Sequence, residues 1–289
     1  MPRRNKSLAA GRPPTAQSTR ASLSSQATRT LIRTHHALHK QLTAAKAQGD
    51  ETKSSEIQAK IDSLGGLERY QQASIQGQST ERGGDSSIVL IKFLEAVLPD
   101  LEEWTTTIKL LEVGALSVDN ACSKSKLFAV QRIDLNSQAE GILQQDFMER
   151  PLPANRDEKF DIISLSLVLN YVPDNVQRGE MLRRIRSFLQ HQGKDGDILP
   201  ALFLVLPAAC VTNSRYFDDA TLYNIMTSLG YVEVKRKQTA KLAYYLFHLT
   251  ADLPLSGNAA YGKKEIRSGA TRNNFSVALK SAPQPSAPG

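Results

Sequence analysis

Three short clusters carry residue types that could hold a nucleoside. Glu112-Val113-Gly114 closes an apolar run, Lys109 to Val113, and breaks it at a glycine. Asp134 closes a second run, residues 127–133. Asp146-Phe147 follows a short apolar stretch, Gly141 to Gln145. A strand that breaks at glycine lets a ligand come close to backbone. An acid about twenty residues on can accept two ribose hydroxyls. An aspartate beside an aromatic ring can take an exocyclic amine and pack a purine. Each piece alone is ordinary, since an acid ending a strand is often only a helix cap. Their order along the chain is what points to a nucleoside-bearing cofactor.

The turn itself narrows the cofactor. A pyrophosphate cradle needs G-x-G-x-x-G, so that a helix N-terminus can meet the phosphates. The chain reads GALSVDNAC, and only Gly114 is present. No GK[ST] follows, which excludes a P-loop. S-adenosylmethionine carries no phosphate. It asks for one close backbone approach, an acid for the ribose, and a polar residue with an apolar wall for adenine. Glu112, Gly114, Asp134, Asp146 and Phe147 are therefore the candidate cofactor residues, with Ser164 in the neighbouring predicted strand. The pattern favours a methyltransferase over a dehydrogenase.

Substrate groups in open α/β sheets lie outside the carboxyl ends of strands. The predicted strand 160–166 runs into SLVLNYVP, which makes Ser166, Asn170 and Tyr171 candidates on the substrate side, Asn170 and Tyr171 being the catalytic pair. Against this, Val168 and Leu169 must pack, and Asn170 could simply turn the chain. A second cluster, VTNSRYF, follows the predicted strand 200–206. There Asn213, Ser214, Arg215 and Tyr216 form a polar-aromatic cluster, in which Arg215 could meet a phosphate and Tyr216 a base. The alternative is a capping loop, with Asp218 as N-cap of the next helix. His35 and His39 stand one helical turn apart but lack a third ligand, so a basic helix surface is expected rather than a metal. Trp104 is expected to pack at the core edge, and the RRIR run, Arg183 to Arg186, to form a solvated helix face.

These groups need a scaffold, and apolar periodicity supplies one. Strands are predicted at 109–113, 127–133, near 141–145, at 160–166, 200–206, 231–237 and 242–249. Helices are predicted over Ile88–Leu98, 175–190 and 218–229. Alternating strands and helices with a closing hairpin make an α/β fold: a mainly parallel, doubly wound, Rossmann-like sheet with an antiparallel C-terminal hairpin. Ahead of it, 28–48 and 52–64 read as an α-helical hairpin around the turn AQGDET. The expected division is a disordered basic tail over 1–26, the hairpin over 27–66, the catalytic domain over 67–250 and a polar tail over 251–289. Residues 65–87 form a polar, glycine-punctuated link.

Charge is uneven along the 289 residues. Residues 1–60 hold 11 Lys+Arg against 3 Asp+Glu, and residues 235–289 hold 9 against 2. The stretch between is acidic, with 16 against 24. Basic flanks around an acidic middle suit a polyanion partner. Two cysteines argue against a disulfide scaffold. No run of eighteen apolar residues exists, so a membrane span is not expected. The start lacks the apolar core of a secretory signal.

Seven blocks, LERYQQASIQGQ, RGGDSS, LLEVGALSVDNAC, RIDLN, QQDFMERP, FDIISLSLVLNYVP and LFLVLPAACVTNSRY, resemble the fungal large-subunit (25S) rRNA adenine-N1 methyltransferases. That family is related to a metazoan S-adenosylmethionine sensor of nutrient signalling. The resemblance spans about residues 60–250. It implies a class I methyltransferase fold, S-adenosylmethionine at Gly114 and Asp134, rRNA or a pre-ribosomal particle as partner, a nuclear and nucleolar location, and one methyl placed on N1 of an adenine. The rival reading is a non-catalytic S-adenosylmethionine-binding regulator that acts through a protein partner. The basic flanks favour the enzyme.

Overall fold

The computed structural model describes residues 25–66, 84–98, 107–137, 139–190, 198–250 and 260–281. Residues 1–24 of the expected tail, most of the link 65–87 and Trp104 lie outside them.

The amino-terminal hairpin is α1 (Ser25–Ala47) and α2 (Glu51–Ser63). Asp50 caps α2 by accepting from Lys53 N at 3.0 Å. The two helices close on a small cluster of Leu42, Ala45, Ile57 and Ile61. His35 corrects the expectation of a basic helix surface. It is buried, and its ring lies 4.5 Å from that of His39. Burial and the neighbouring imidazole both lower its pKa, which favours the neutral form.

The core begins with α3 (Ser87–Glu95) and continues β1 (Ile108–Val113), α4 (Ala121–Lys124), β2 (Phe128–Asp134), β3 (Leu143–Gln144), β4 (Ile162–Ser166), α5 (Asn175–Phe188), β5 (Ala201–Pro207), α6 (Ala208–Thr212), α7 (Asp219–Ser228), β6 (Tyr231–Gln238) and β7 (Leu242–Leu249). One seven-stranded sheet has the order β3-β2-β1-β4-β5-β7-β6. The first five strands in that order are parallel, and β7 runs antiparallel to both β5 and β6. Central strands such as ALFLVLP are near-continuously apolar because both of their faces are covered. One face packs α5 and α7 through Met181, Leu182, Ile185, Leu222 and Ile225. The other packs α3 and Cys122 of α4 through Leu90, Leu94, Leu110 and Phe203. Strand order reverses between β1 and β4, which makes their carboxyl ends the switch point.

The carboxyl-terminal region differs from the expected polar tail. Residues 260–281 run as an extended strap over α5 and the loop after α6. Phe275, Val277, Ala278 and Leu279 are buried in the main core. Polar composition hid this, because few apolar side chains reach inward while backbone groups do much of the binding. Ala278 N donates to Asn175 O, and Arg178 Nη1 donates to Ser276 O at 2.6 Å. Gly179 is the reason a bare strap can lie on a helix: a Cβ there would sit 2.0 Å from Ala278 O. Glycine inside a helix costs about 1 kcal/mol relative to alanine, so close packing is what the position gains.

The RRIR run is a second correction. Arg184 Nε donates to Phe147 O at 3.0 Å and Arg186 Nη1 to Leu229 O at 2.9 Å. Arg183 reaches Glu180 and the carbonyl of Lys280. These guanidinium groups satisfy backbone carbonyls of loops lying against α5, where no regular partner exists. Among the described residues no helix is long and apolar enough to cross a membrane.

Candidate cofactor and substrate site

A cavity of about 340 Å³ opens at the switch point. Val113 and Gly114 line it from the end of β1, Ile133 to Asn136 from the end of β2, and Gln145 to Met148 from the stretch after β3. Ser166 to Val168 and Tyr171 to Pro173 come from the loop after β4, and Gln177 and Met181 from α5. The volume is in the range of small-molecule sites.

Gly114 adopts φ +76°, and its amide donates to Ile133 O at 2.8 Å. A Cβ would lie 2.3 Å from Val168 Cγ2. The single glycine therefore serves two needs, a left-handed backbone and clearance for the loop after β4. Leu167, in that loop, also has a positive φ of 58°, and its amide donates to Val205 O. A non-glycine residue in this region stores strain, as functional loops often do.

Both strand-ending acids reach the cavity. Asp134 lines the cavity at the end of β2, with Oδ1 accepting from Asn136 N at 2.8 Å. Asp146 lines it too, with Oδ1 accepting from Met148 N at 2.7 Å. Each Asp thus fixes its own turn through one oxygen. Phe147 touches the cavity but is 3% exposed, and its ring centroid lies 5.2 Å from that of Phe188. Much of the apolar wall comes instead from Leu116, Leu135, Met148, Val168 and Met181. Sequence reasoning missed these. Leu135 alone left a signal, as an apolar residue directly after a strand-ending acid, and it is 65% exposed.

Glu112 and Ser164 are not among the cavity-lining residues. They pair across β1 and β4, on the sheet face toward α3. Alternation along a strand puts Val113 and Leu165 on one face and Glu112 and Ser164 on the other. Glu112 is instead the centre of a buried polar network below the turn. Its Oε1 accepts from Asn120 Nδ2 at 2.6 Å, and Arg132 Nε lies 3.6 Å from Oε2. Burial outweighs the nearby guanidinium and raises the Glu112 pKa to about 7. Asp85 extends the network by accepting from Ala121 N and from Ser87 N and Oγ. It ties the start of α3 to the loop that follows Gly114.

Of the substrate candidates, Ser166 and Tyr171 reach the cavity. Ser166 Oγ also lies 2.9 Å from Ser86 Oγ. Asn170 is not among the lining residues, and its Oδ1 is buried without a hydrogen-bond partner among the described residues. The VTNSRYF cluster lies elsewhere. Arg215 donates to Gly269 O through Nε and Nη2 and to Asn274 Oδ1 through Nη1. Asn213 O accepts from Asn273 N of the strap, Arg215 N donates to Asn273 O, and the Tyr216 ring carries Lys263 Nζ 4.1 Å from its centroid. These residues hold the strap, a partner invisible while residues 251–289 read as a tail. Among the described residues no group of three or more His, Cys, Asp or Glu could hold a metal ion.

The residues present fit S-adenosylmethionine. Among the described lining residues the one approach free of a Cβ is at Gly114, two carboxylates line the cavity beyond it, and the walls are apolar. Nothing at the turn supplies the second and third glycines of a pyrophosphate site. Sheet order, the reversed β7 and this cavity together define a class I S-adenosylmethionine-dependent methyltransferase fold. A family described as "25S rRNA (adenine(2142)-N(1))-methyltransferase, Bmt2" matches residues 55–277. The chain belongs to that family. It is 42% identical over 224 residues to the 25S rRNA (adenine(2142)-N(1))-methyltransferase of Saccharomyces cerevisiae, a match that covers 77% of this chain and 63% of that one. It is 39% identical over 254 residues to the 25S rRNA adenine-N(1) methyltransferase of Schizosaccharomyces pombe, covering 86% and 89%. Among solved structures, the N-methyltransferase NodS from Bradyrhizobium japonicum, in complex with S-adenosyl-L-homocysteine, is similar over 56% of this chain and 86% of that chain, with 18% identity and a TM-score of 0.37.

Proposed function

We propose that this protein transfers one methyl group from S-adenosylmethionine to N1 of an adenine in large-subunit (25S) rRNA. The observation that carries the reading is the Gly114–Asp134–Asp146 cavity at the switch point, in a chain of this family. Gly114 would admit the amino-acid end of the cofactor to the backbone. Asp134 would accept the ribose hydroxyls, and Asp146 the adenine amine. When bound there, S-adenosylmethionine supplies an electrophilic methyl on a sulfonium.

N1 of adenine carries an available lone pair, so the protein need not abstract a proton before attack. Its work is alignment and exclusion of water. N1 lies on the Watson–Crick edge, so the base must enter unpaired. Tyr171 and Ser166 are the polar groups at the cavity on the β4 side, and we assign them to the incoming base. Asn170, with a buried carbonyl oxygen lacking a partner, would hold the loop that carries Tyr171. The rRNA would be met in the nucleus, at the nucleolus, within an assembling particle.

The test uses the purified chain, S-adenosylmethionine with a labelled methyl, and a large-subunit rRNA fragment. N1-methyladenine cannot pair normally, so reverse transcription should stop at one adenine. A chain that binds S-adenosylmethionine but places no label on adenine N1 overturns the proposal. So does persistence of every such mark in rRNA after the gene is deleted in its host.

A further inference from the structure

We infer that Gln177 reads the target adenine, its side-chain amide meeting N6 and N7 of the base while N1 faces the methyl group. The inference rests on the adenine-N1 methyltransferase reading and names the residue that would choose adenine over other bases. In sequence, Gln177 is one more polar residue of the helix expected over 175–190.

The fold puts it at the mouth of the site. Gln177 lines the cavity and is exposed. Met181, one helical turn on and on the same face of α5, also lines the cavity but is 5% exposed. The two mark the rim and the depth of one wall. Asp174 accepts from Val176 N and Gln177 N, each at 2.9 Å, so the backbone under the side chain is fixed. Arg178 Nε donates to Val172 O at 2.8 Å, which ties this turn of helix to the loop that carries Tyr171.

The other polar side chains of the cavity are already engaged. Gln145 Oε1 accepts from Arg150 Nη1 at 2.7 Å, and Ser166 Oγ lies 2.9 Å from Ser86 Oγ. Asp134 and Asp146 each hold a backbone amide of their own turns. Asn136 and Tyr171 each have a partner. Gln177 bonds through its backbone, and its carboxamide has no partner among the described residues. It presents a donor and an acceptor side by side.

The chemistry of the base selects such a pair. N1 must present its lone pair to the methyl carbon, so no protein group can occupy it. Recognition falls to the adjoining edge, where adenine sets the N6 amine beside N7, a donor beside an acceptor. A glutamine amide matches them with two hydrogen bonds. Guanine sets O6 beside N7, two acceptors, and would leave the amide oxygen facing an oxygen. Methyl transfer also places positive charge on the purine, which makes the N6 hydrogens better donors. The bond from N6 to Gln177 Oε1 therefore strengthens as the reaction proceeds, which is the kind of contact that raises rate.

The experiment measures kcat and KM for methyl transfer by full-length wild type, Q177A and Q177E. The substrates are large-subunit rRNA fragments with adenosine or 7-deazaadenosine at the adenine where reverse transcription stops. The deaza base keeps N1 and N6 and replaces N7 by a C–H. It should lower the wild-type kcat/KM about tenfold, the order of discrimination a matched bidentate pair gives. Q177A should lose about tenfold on adenosine and no longer distinguish the two substrates. Q177E keeps the acceptor and loses the donor, so it should favour 7-deazaadenosine. Both variants should bind S-adenosylmethionine as the wild type does by calorimetry. An exposed position in the first turn of a helix accepts Ala or Glu without loss of fold. Equal kcat/KM for Q177A and wild type on adenosine overturns the assignment and leaves the methyltransferase reading intact. So does a preference for adenosine that persists in Q177A, or a fall in cofactor affinity, which would place Gln177 on the cofactor instead. A wild type that binds S-adenosylmethionine but methylates no adenine N1 overturns the methyltransferase reading and the Gln177 assignment with it.

Discussion

The missing side chain of Gly114 faces Val168 across the switch point, where a Cβ would come within 2.3 Å of Val168 Cγ2. Replacing Gly114 with Ala therefore adds a clash to an unfavourable backbone. The left-handed conformation alone costs a non-glycine residue about 1–2 kcal/mol. G114A is expected to lose at least about tenfold in S-adenosylmethionine affinity, at 1.4 kcal/mol per decade. The double variant G114A/V168A should recover part of the loss, because it removes the clash and leaves the φ +76° strain. Calorimetric titration of the three proteins checks both statements.

Asp134 makes a cleaner test of the ribose role. Its carboxylate already fixes Asn136 N, so Asp134→Asn retains an oxygen for that turn while removing the charge. Hydrogen bonds to charged groups contribute about 1.5–3 kcal/mol. Asp134→Asn should weaken cofactor binding by about ten- to hundredfold without lowering Tm. Equal cofactor affinity in the two proteins would remove Asp134 from the site.

Glu112 should leave a pH signature. Its pKa is raised to about 7 in the fold, against an ordinary carboxyl near 4.5. The folded protein then binds more protons than the unfolded chain between those values, so stability falls as pH rises through that window. The glutamine variant E112Q mimics the protonated form and keeps an acceptor for Asn120. Wild type and E112Q should be similarly stable near pH 4.5. The wild type should then lose about 3 kcal/mol relative to E112Q by pH 7 and little beyond it. Urea unfolding at several pH values reads the difference.

The strap predicts that Gly179, which does not itself line the cavity, is critical. G179A would drive a methyl into Ala278 O. Overpacking of this kind costs about 1–3 kcal/mol, or several degrees of Tm in a chain of this size. Arg178 should couple the strap to the site, because its Nε holds Val172 O at 2.8 Å while its Nη1 holds Ser276 O. R178A is expected to weaken methyl transfer more than cofactor binding, since Val172 adjoins Tyr171 in the loop after β4. Equal losses in both measurements would make Arg178 a purely structural residue.

Much of the scaffold was legible from sequence alone. Buried parallel strands read as apolar runs such as LFLVL, and the helix expected over 175–190 is α5, whose first amides, Val176 N and Gln177 N, Asp174 caps. Gly114, Asp134 and Asp146 stood out because a turn at positive φ and strand-ending acids are local features, fixed by residues next to them in the chain. Glu112 was read together with them yet does not line the cavity, since only the pleat decides which sheet face an adjacent side chain takes. Arg215 and Tyr216 looked like substrate groups while their partners, residues 263 to 274, were far away in sequence. The strap itself was misjudged because its polar residues bind through backbone to carbonyls and amides that no composition reveals. The sequence by itself determined the elements, the turn and the acids that face the cavity, because those depend on contacts a few residues long. Tertiary structure alone decided which polar groups point at the cavity and which are consumed holding loops together, because that depends on packing between segments far apart in the chain, 98 residues in the case of Arg178 and Ser276.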